Sequence, residues 1–468
     1  MRCILRSLYA TSICASTFVL QRKAKRRLAL ERGMGYNCRV YQGNCPQPLS
    51  LFMRYLPALL GIGLLMLYTL LGVARVPFHG DESTIVYMAN DWFRLREGGF
   101  SALFYRPEPT EPMAQELRLI NGTLAPLSYG AILDIAGLDR TVLNGSWDWG
   151  SDWWQNQYYG HFPRPEVLFI ARWTSALMLC LAFALFFAAA RLLIGEQRAL
   201  LTLIIFGLMP AVLLNGRRAM FEGATFLGAA LVWYSAVRLV MGRTRIGNWL
   251  FFGVACGLAL AAKHMNVLLV GSVALALLWQ ARAHLWQTLR TLALSGLVAG
   301  TVFLALNPSW WSAPLDVPRE VLRLRNAIFA GQNQLFGRPL SLAERLEALI
   351  AFPFGAPQYF EDTLNPWRDW LADSIQSYER GIQGVTWYAA APLVYILLLL
   401  GAMALLRLRS GAFIGIVLIG TSAALFITNS LMWQRYYLLL TFPLALLVAL
   451  GLAWLAQRLK LGDACHAR

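Results

Sequence analysis

Charge is what this sequence has least of. Only 14% of its 468 residues are Asp, Glu, Lys or Arg, where soluble domains carry about a quarter, and a chain so poor in charge cannot form an ordinary water-soluble globule. Lysine is nearly missing from the interior of the chain: Lys263 is the only one between Lys25 and Lys460. The seven cysteines show neither a CxxC pair nor Cys/His ligand spacing, which argues against a zinc module or a disulfide framework. Cys3, Cys14, Cys38 and Cys45 crowd the start of the chain, while Cys180 and Cys256 fall in apolar stretches where packing is their expected role. No internal repeat of the kind that marks many secondary transporters is visible.

What is present is apolar. Hydrophobic residues make up 57% of the chain, mean hydropathy is +0.50, and the net charge of +16 is what basic flanks around apolar spans produce, so a nucleic-acid partner is not expected. The expected class is an all-α polytopic membrane protein whose partner is the lipid bilayer. Apolar stretches open near residues 51, 167, 199, 221, 248, 265, 290, 386, 411 and 435, which predicts about ten helices at about 20 residues per crossing. Phe251 to Trp279 is too long for one untilted helix and short for two, so a tight turn is expected at Ala262-Lys263-His264.

Basic residues set the orientation. Arg191 and Arg198, Arg238 with Arg243 and Arg245, Arg282 and Arg290, Arg407 and Arg409, and Arg458 with Lys460 occupy short connections or the tail on alternate sides of the apolar stretches, and those ends are expected to be cytoplasmic. Apart from Glu31, Glu196 and Asp463, the acidic residues fall on or near the opposite side. Residues 1–50, with the basic run Gln21-Arg22-Lys23-Ala24-Lys25-Arg26-Arg27, are read as a cytoplasmic tail or as the product of a start upstream of Met34 or Met53. Residues 51–457 form the membrane domain and 458–468 a second cytoplasmic tail. The segments 75–166 and 307–384 lie outside, and their Trp, Tyr, Pro and Asp content predicts short interfacial helices with a functional role.

Four strings could carry chemistry. Val76-Pro77-Phe78-His79-Gly80-Asp81-Glu82-Ser83-Thr84 follows the first span. Adjacent carboxylates there either complement a helix dipole or, shielded from water, provide a general base whose pKa a neighbour tunes. Leu214-Asn215-Gly216-Arg217-Arg218-Ala219-Met220-Phe221-Glu222-Gly223 packs two arginines and a glutamate into one turn. Arg217 or Arg218 could grip a phosphate through the guanidinium fork with Glu222 orienting one of them, or the group could be a structural ion pair. Lys263 with His264 places an ammonium among apolar spans, where it needs an anionic partner or must snorkel to headgroups. Trp433-Gln434-Arg435-Tyr436-Tyr437, followed by Pro443, reads as an interfacial anchor or part of the same phosphate pocket. Asn121-Gly122-Thr123 and Asn144-Gly145-Ser146 fit the glycosylation sequon.

Taken in order, these strings resemble the phospholipid-carrier-dependent glycosyltransferases of the GT-C superfamily, the group containing protein O-mannosyltransferases and lipid A aminoarabinose transferases. The resemblance rests on the Asp81-Glu82 pair after the first span, Pro163-Arg164-Pro165-Glu166, Ala171-Arg172-Trp173-Thr174-Ser175-Ala176, Pro210, the turn Gly216 to Glu222, Gly257 to Lys263, and Arg435-Tyr436 with Pro443. It implies a GT-C-like fold and transfer of a sugar from a polyprenyl-phosphate carrier to an acceptor hydroxyl on the non-cytoplasmic face of the plasma (inner) membrane. Asp81 would be the catalytic base with Glu82 in support. Lys263 and Arg435, and less directly Arg217 and Arg218, would hold the carrier phosphate, with Glu222, His264 and Tyr436 supporting. Asp81, Glu82 and Glu222 could gather around a divalent metal, but carboxylates alone do not establish a site, and no cofactor is assigned. The competing reading is a transporter or flippase of lipid-linked sugars. The acceptor, whether protein, lipid or glycan, is not named by the residues.

Overall fold

The computed structural model describes residues 48–335, 339–361, 367–429 and 431–466. The basic run, the four N-terminal cysteines and Met34 lie outside them. The chain divides into two compact units, Met1–Tyr55 and Leu56–Arg468. Of the first, only the opening turns of the helix Pro48–Leu71 are described.

Every regular element among the described residues is helical, the outcome expected where the solvent offers backbone groups no hydrogen bonds. Among the described residues seven helices are long and apolar enough to cross a membrane: Tyr55–Arg75, Pro165–Ile194, Glu222–Val240, Arg282–Leu306, Trp387–Leu405, Gly411–Thr428 and Gln434–Leu459. An eighth crossing is available if the bent pair Glu196–Gly207 and Pro210–Arg217 counts as one. Pro210 accounts for its 65° bend, because proline opens the second helix and cannot continue the ladder of the first. All ten predicted starts open helices. Two of those helices, Ile246–Ala262 and His264–Gln280, are shorter apolar pieces, so among the described residues seven or eight helices have full crossing length where about ten helices are expected.

The predicted turn at Ala262-Lys263-His264 is a break between these two pieces. Lys263 is extended (φ −161°, ψ 129°), and buried Asn266 reaches back to donate to the Ala259 carbonyl at 2.7 Å, which also accepts the Lys263 N–H at 3.2 Å, so two bonds to one carbonyl fix the break.

Small residues let the helices touch backbone to backbone. Gly228 faces the Cα of Ala259, and a Cβ there would lie 2.7 Å from it, so Glu222–Val240 and Ile246–Ala262 pack without intervening side chains. The core of the membrane domain is aromatic and aliphatic: Phe186 stacks on Phe442 with centroids 4.2 Å apart, and Phe206 and Trp233 pack edge-on around them.

The two long intervening segments are folded into short helices, as expected. The first carries Gly80–Met88, Asn90–Gly98, Pro112–Ile120, Leu124–Ile135 and Trp153–Tyr158, and the second Asp316–Leu335, Leu342–Phe354, Trp367–Trp370 and Ala372–Glu379. One sequon is structurally committed: Asn144 is buried, and its amide donates to Ser83 and to the Gly145 and His161 carbonyls.

Candidate active site

Five arginine and lysine side chains, buried or partly buried, organise the polar interior. Glu82 is fully buried and receives Arg172 through both Nε and Nη2, each at 2.7 Å. It also accepts the main-chain N–H of Ala219 at 2.8 Å and that of His79 at 3.1 Å. Burial opposes its ionisation, but Arg172 first and Arg218 after it hold its pKa below the usual glutamate range. Arg172 spends its remaining contact on the Val76 carbonyl at 2.9 Å. Glu82 thus closes the capping box of Gly80–Met88 and pins that helix to Pro165–Ile194.

Arg217 and Arg218 are also spent. Arg217 donates to the carbonyls of Thr69, Tyr68 and Ile382 and to the Tyr378 hydroxyl, and it lies 5.2 Å from the Tyr68 ring. Arg218 donates to the carbonyls of Pro77 at 3.1 Å and Tyr359 at 2.7 Å, tying together the segments that lead into His79 and into Glu361. Glu222 contacts neither arginine. Its Oε1 accepts Lys263 Nζ at 2.7 Å, and its Oε2 is buried without a partner.

Asp81 sits where these ties converge. Its main-chain N–H donates to His79 Nδ1 at 3.1 Å, which leaves the His79 proton on Nε2 to be donated to Glu361 at 2.7 Å. The Arg435 guanidinium closes the ring, paired with Asp81 through Nη1 and lying 3.3 Å from Glu361 through Nε. Burial pushes the Asp81 pKa up, but the Arg435 guanidinium outweighs it and holds the carboxyl below its usual value. Glu361 follows the same balance and is held at about 2. The Asp81 side chain is 21% exposed and that of Glu82 is 0%, which separates the roles open to the two neighbours.

Aromatic faces join this ring to Lys263. Trp433 and Tyr436 stack at 5.2 Å, Arg435 lies 4.7 Å from Trp433, and Lys263 lies 5.6 Å from the Tyr436 ring. A reciprocal amide exchange fixes the turn: Gln434 N–H donates to Gln358 at 2.7 Å and Gln358 N–H donates to Gln434 at 3.1 Å. That pair brings Glu361, three residues on, beside Arg435.

The structure therefore gathers Asp81, Arg435, Tyr436 and Lys263 in one region and commits Glu82, Arg217 and Arg218 to buried scaffold contacts. Asp81, Glu82 and Glu222 pair with three different cations, and among the described residues no group of three or more His, Cys, Asp or Glu is spaced to hold a metal ion. Glu361 escaped sequence reasoning. It is one acid among many in a polar segment, and only the fold brings it across 282 residues to His79.

A polytopic helical membrane protein with a charge-paired site at the junction of its spans and intervening segments is the class that this geometry defines. Residues 166–311 match the family model of dolichyl-phosphate-mannose-protein mannosyltransferase, which supports the GT-C resemblance and covers Arg172, Arg217, Arg218, Glu222, Lys263 and His264. No curated protein matches the chain. Among solved structures it is similar to ArnT from Cupriavidus metallidurans bound to undecaprenyl phosphate (15% identity, TM-score 0.47, 85% of this chain and 60% of that one). It is also similar to the Archaeoglobus fulgidus oligosaccharyltransferase (12% identity, TM-score 0.48, 89% and 52%). The chain thus spans about 60% or less of the length of those proteins.

Proposed function

We propose that the protein is a membrane glycosyltransferase that moves a sugar from a polyprenyl-phosphate carrier to an acceptor hydroxyl on the non-cytoplasmic face of the membrane. The observation that carries this reading is the pairing of a partly open, ionised Asp81 with Arg435, which shares an aromatic platform with Lys263. A base and two phosphate-binding cations within one region are what displacement at a phosphate-activated anomeric carbon requires.

In the reaction, the acceptor oxygen bonds to the anomeric carbon as the bond from that carbon to the phosphate oxygen breaks. Its electron pair leaves with the carrier phosphate, the acceptor proton passes to Asp81, and a single displacement inverts the anomeric centre. Arg435 holds Asp81 in the ligand-free state, and a base with so low a pKa is weak. The incoming phosphate competes for the same guanidinium. Donor binding therefore draws positive charge away from Asp81 and raises its basicity when substrate is present. Lys263, released in part from Glu222, gives the leaving phosphate a second cation. Glu82 serves as a positioning residue through Arg172, and Arg217 and Arg218 serve as scaffold.

The test is incubation of purified protein in lipid nanodiscs with a labelled polyprenyl-phosphate sugar and a membrane extract as acceptor source. Release of polyprenyl phosphate supports the reading. The same protein in sealed vesicles moving the intact donor between leaflets without cleavage would replace it with a flippase.

A further inference from the structure

Three cations lie on or beside the Lys263–Arg435 region, and two of them are neutralised by carboxylates: Lys263 by Glu222, and Arg435 by Asp81 and Glu361. The third is Arg325, on the helix Asp316–Leu335, which sequence reasoning did not single out. Among the described residues no carboxylate pairs with it. Its Nη2 donates to the Ile120 carbonyl at 2.6 Å and approaches His264 Nδ1 at 3.5 Å. It is partly buried.

A partly buried guanidinium with no carboxylate partner is costly, and an anion is what relieves that cost. The histidine beside it points the same way. With Arg325 donating to Nδ1, the His264 proton resides on Nε2, which is buried and has no partner. Two donor groups are therefore under-used beside Lys263. Leu322, one turn earlier on the Arg325 helix, is 65% exposed and offers an apolar surface next to the guanidinium, the combination that a lipid chain ending in phosphate would fit.

We infer that Arg325 is the anchoring guanidinium for the phosphate of a polyprenyl-phosphate carrier. It engages the headgroup before Arg435 and Lys263 exchange their carboxylates for it. This assignment rests on the glycosyltransferase reading of the same site. The competing role is a cap on the C-terminal carbonyls of Pro112–Ile120, which Arg325 touches at Ile120.

Binding of undecaprenyl phosphate, undecaprenol and inorganic phosphate to purified full-length protein separates the possibilities. Unmodified protein is expected to prefer undecaprenyl phosphate to the uncharged alcohol. Arg325→Gln should lose about tenfold or more of that affinity, the equivalent of one charge-assisted contact, with binding of undecaprenol unchanged. Arg325→Lys should retain most of it. Inorganic phosphate should compete only weakly, since the tail contributes; competition equal to that of the lipid would overturn the assignment to a lipid headgroup in favour of a free-phosphate site. Equal affinity of Arg325→Gln and unmodified protein for undecaprenyl phosphate, while Lys263→Ala loses it, would overturn the inference and leave the proposed function standing. If the unmodified protein shows no preference for the phosphate, the donor class itself is wrong and the inference falls with it. Thermal midpoints of both Arg325 variants, measured alongside, identify a variant that has lost the helix cap; loss of phosphate-lipid affinity in Arg325→Gln only in proportion to a fallen midpoint would also overturn the inference.

Discussion

Replacing Glu82 with glutamine tests whether the second member of the Asp-Glu pair supports chemistry or structure. Glu82 accepts four hydrogen bonds in a place with no exposure: two from Arg172, one from the His79 N–H and one from the Ala219 N–H. Glutamine has the same shape, but one oxygen becomes an NH2 group. Whichever way the amide turns, it presents donors to two donors, and the nearly buried Arg172 loses its counter-charge. Breaking a buried pair by neutralising one partner costs about 3–5 kcal/mol. For a chain of this length the unfolding entropy converts that to a fall of about 3–5 °C in thermal midpoint, read by tryptophan fluorescence in detergent. The pH dependence supplies a second check. The folded-state pKa of Glu82 is depressed, so its contribution is present above the usual value of 4.5 and is lost as pH falls through the lower folded value. The gap between Glu82→Gln and unmodified protein should therefore narrow on acidification below pH 4.5. A midpoint within about 1 °C of unmodified protein at pH 7 would refute the scaffold role.

Three further outcomes follow from the same geometry. In pH–rate profiles the acid limb of kcat/KM, which reports the free enzyme, should lie below the usual aspartate value of 3.8, and the limb of kcat should lie higher because bound phosphate has drawn Arg435 away; coincident limbs would exclude the exchange of partners. Gly72→Ala would place a methyl group 2.2 Å from the Arg217 guanidinium and should cost about 1–3 kcal/mol of stability, seen as a lowered midpoint with donor KM unchanged; a selective rise in KM would return Arg217 to the phosphate site. Lys263→Ala should raise donor KM more than it lowers kcat in steady-state assays, and an unchanged KM would assign Lys263 to the Glu222 pair alone.

The residues legible from sequence are those that broke an apolar pattern. Asp81, Lys263 and Arg435 stand out because charge near a span demands a reason, and the structure brings them into one region. Arg217 and Arg218 stood out equally, yet their donors go to main-chain carbonyls of Thr69, Tyr68, Ile382, Pro77 and Tyr359. No spacing rule distinguishes an arginine that satisfies distant carbonyls from one that awaits a phosphate. Glu361 and Arg325 lay among other charges in polar segments, and their importance comes from contacts with His79 and His264 that only the fold creates. The span count shows the same limit: Ile246–Ala262 and His264–Gln280 are as apolar as the longer helices, and their shortness depends on where the chain breaks at Lys263.

The most direct measurement is single-turnover release of polyprenyl phosphate from a saturating labelled donor by purified Asp81→Asn protein. Loss of the base should slow release by about 10²–10⁴-fold, while donor binding is at least as tight as in unmodified protein because the Asp81 carboxylate no longer competes for Arg435. Release at the unmodified rate would contradict the assignment of Asp81 as the proton acceptor.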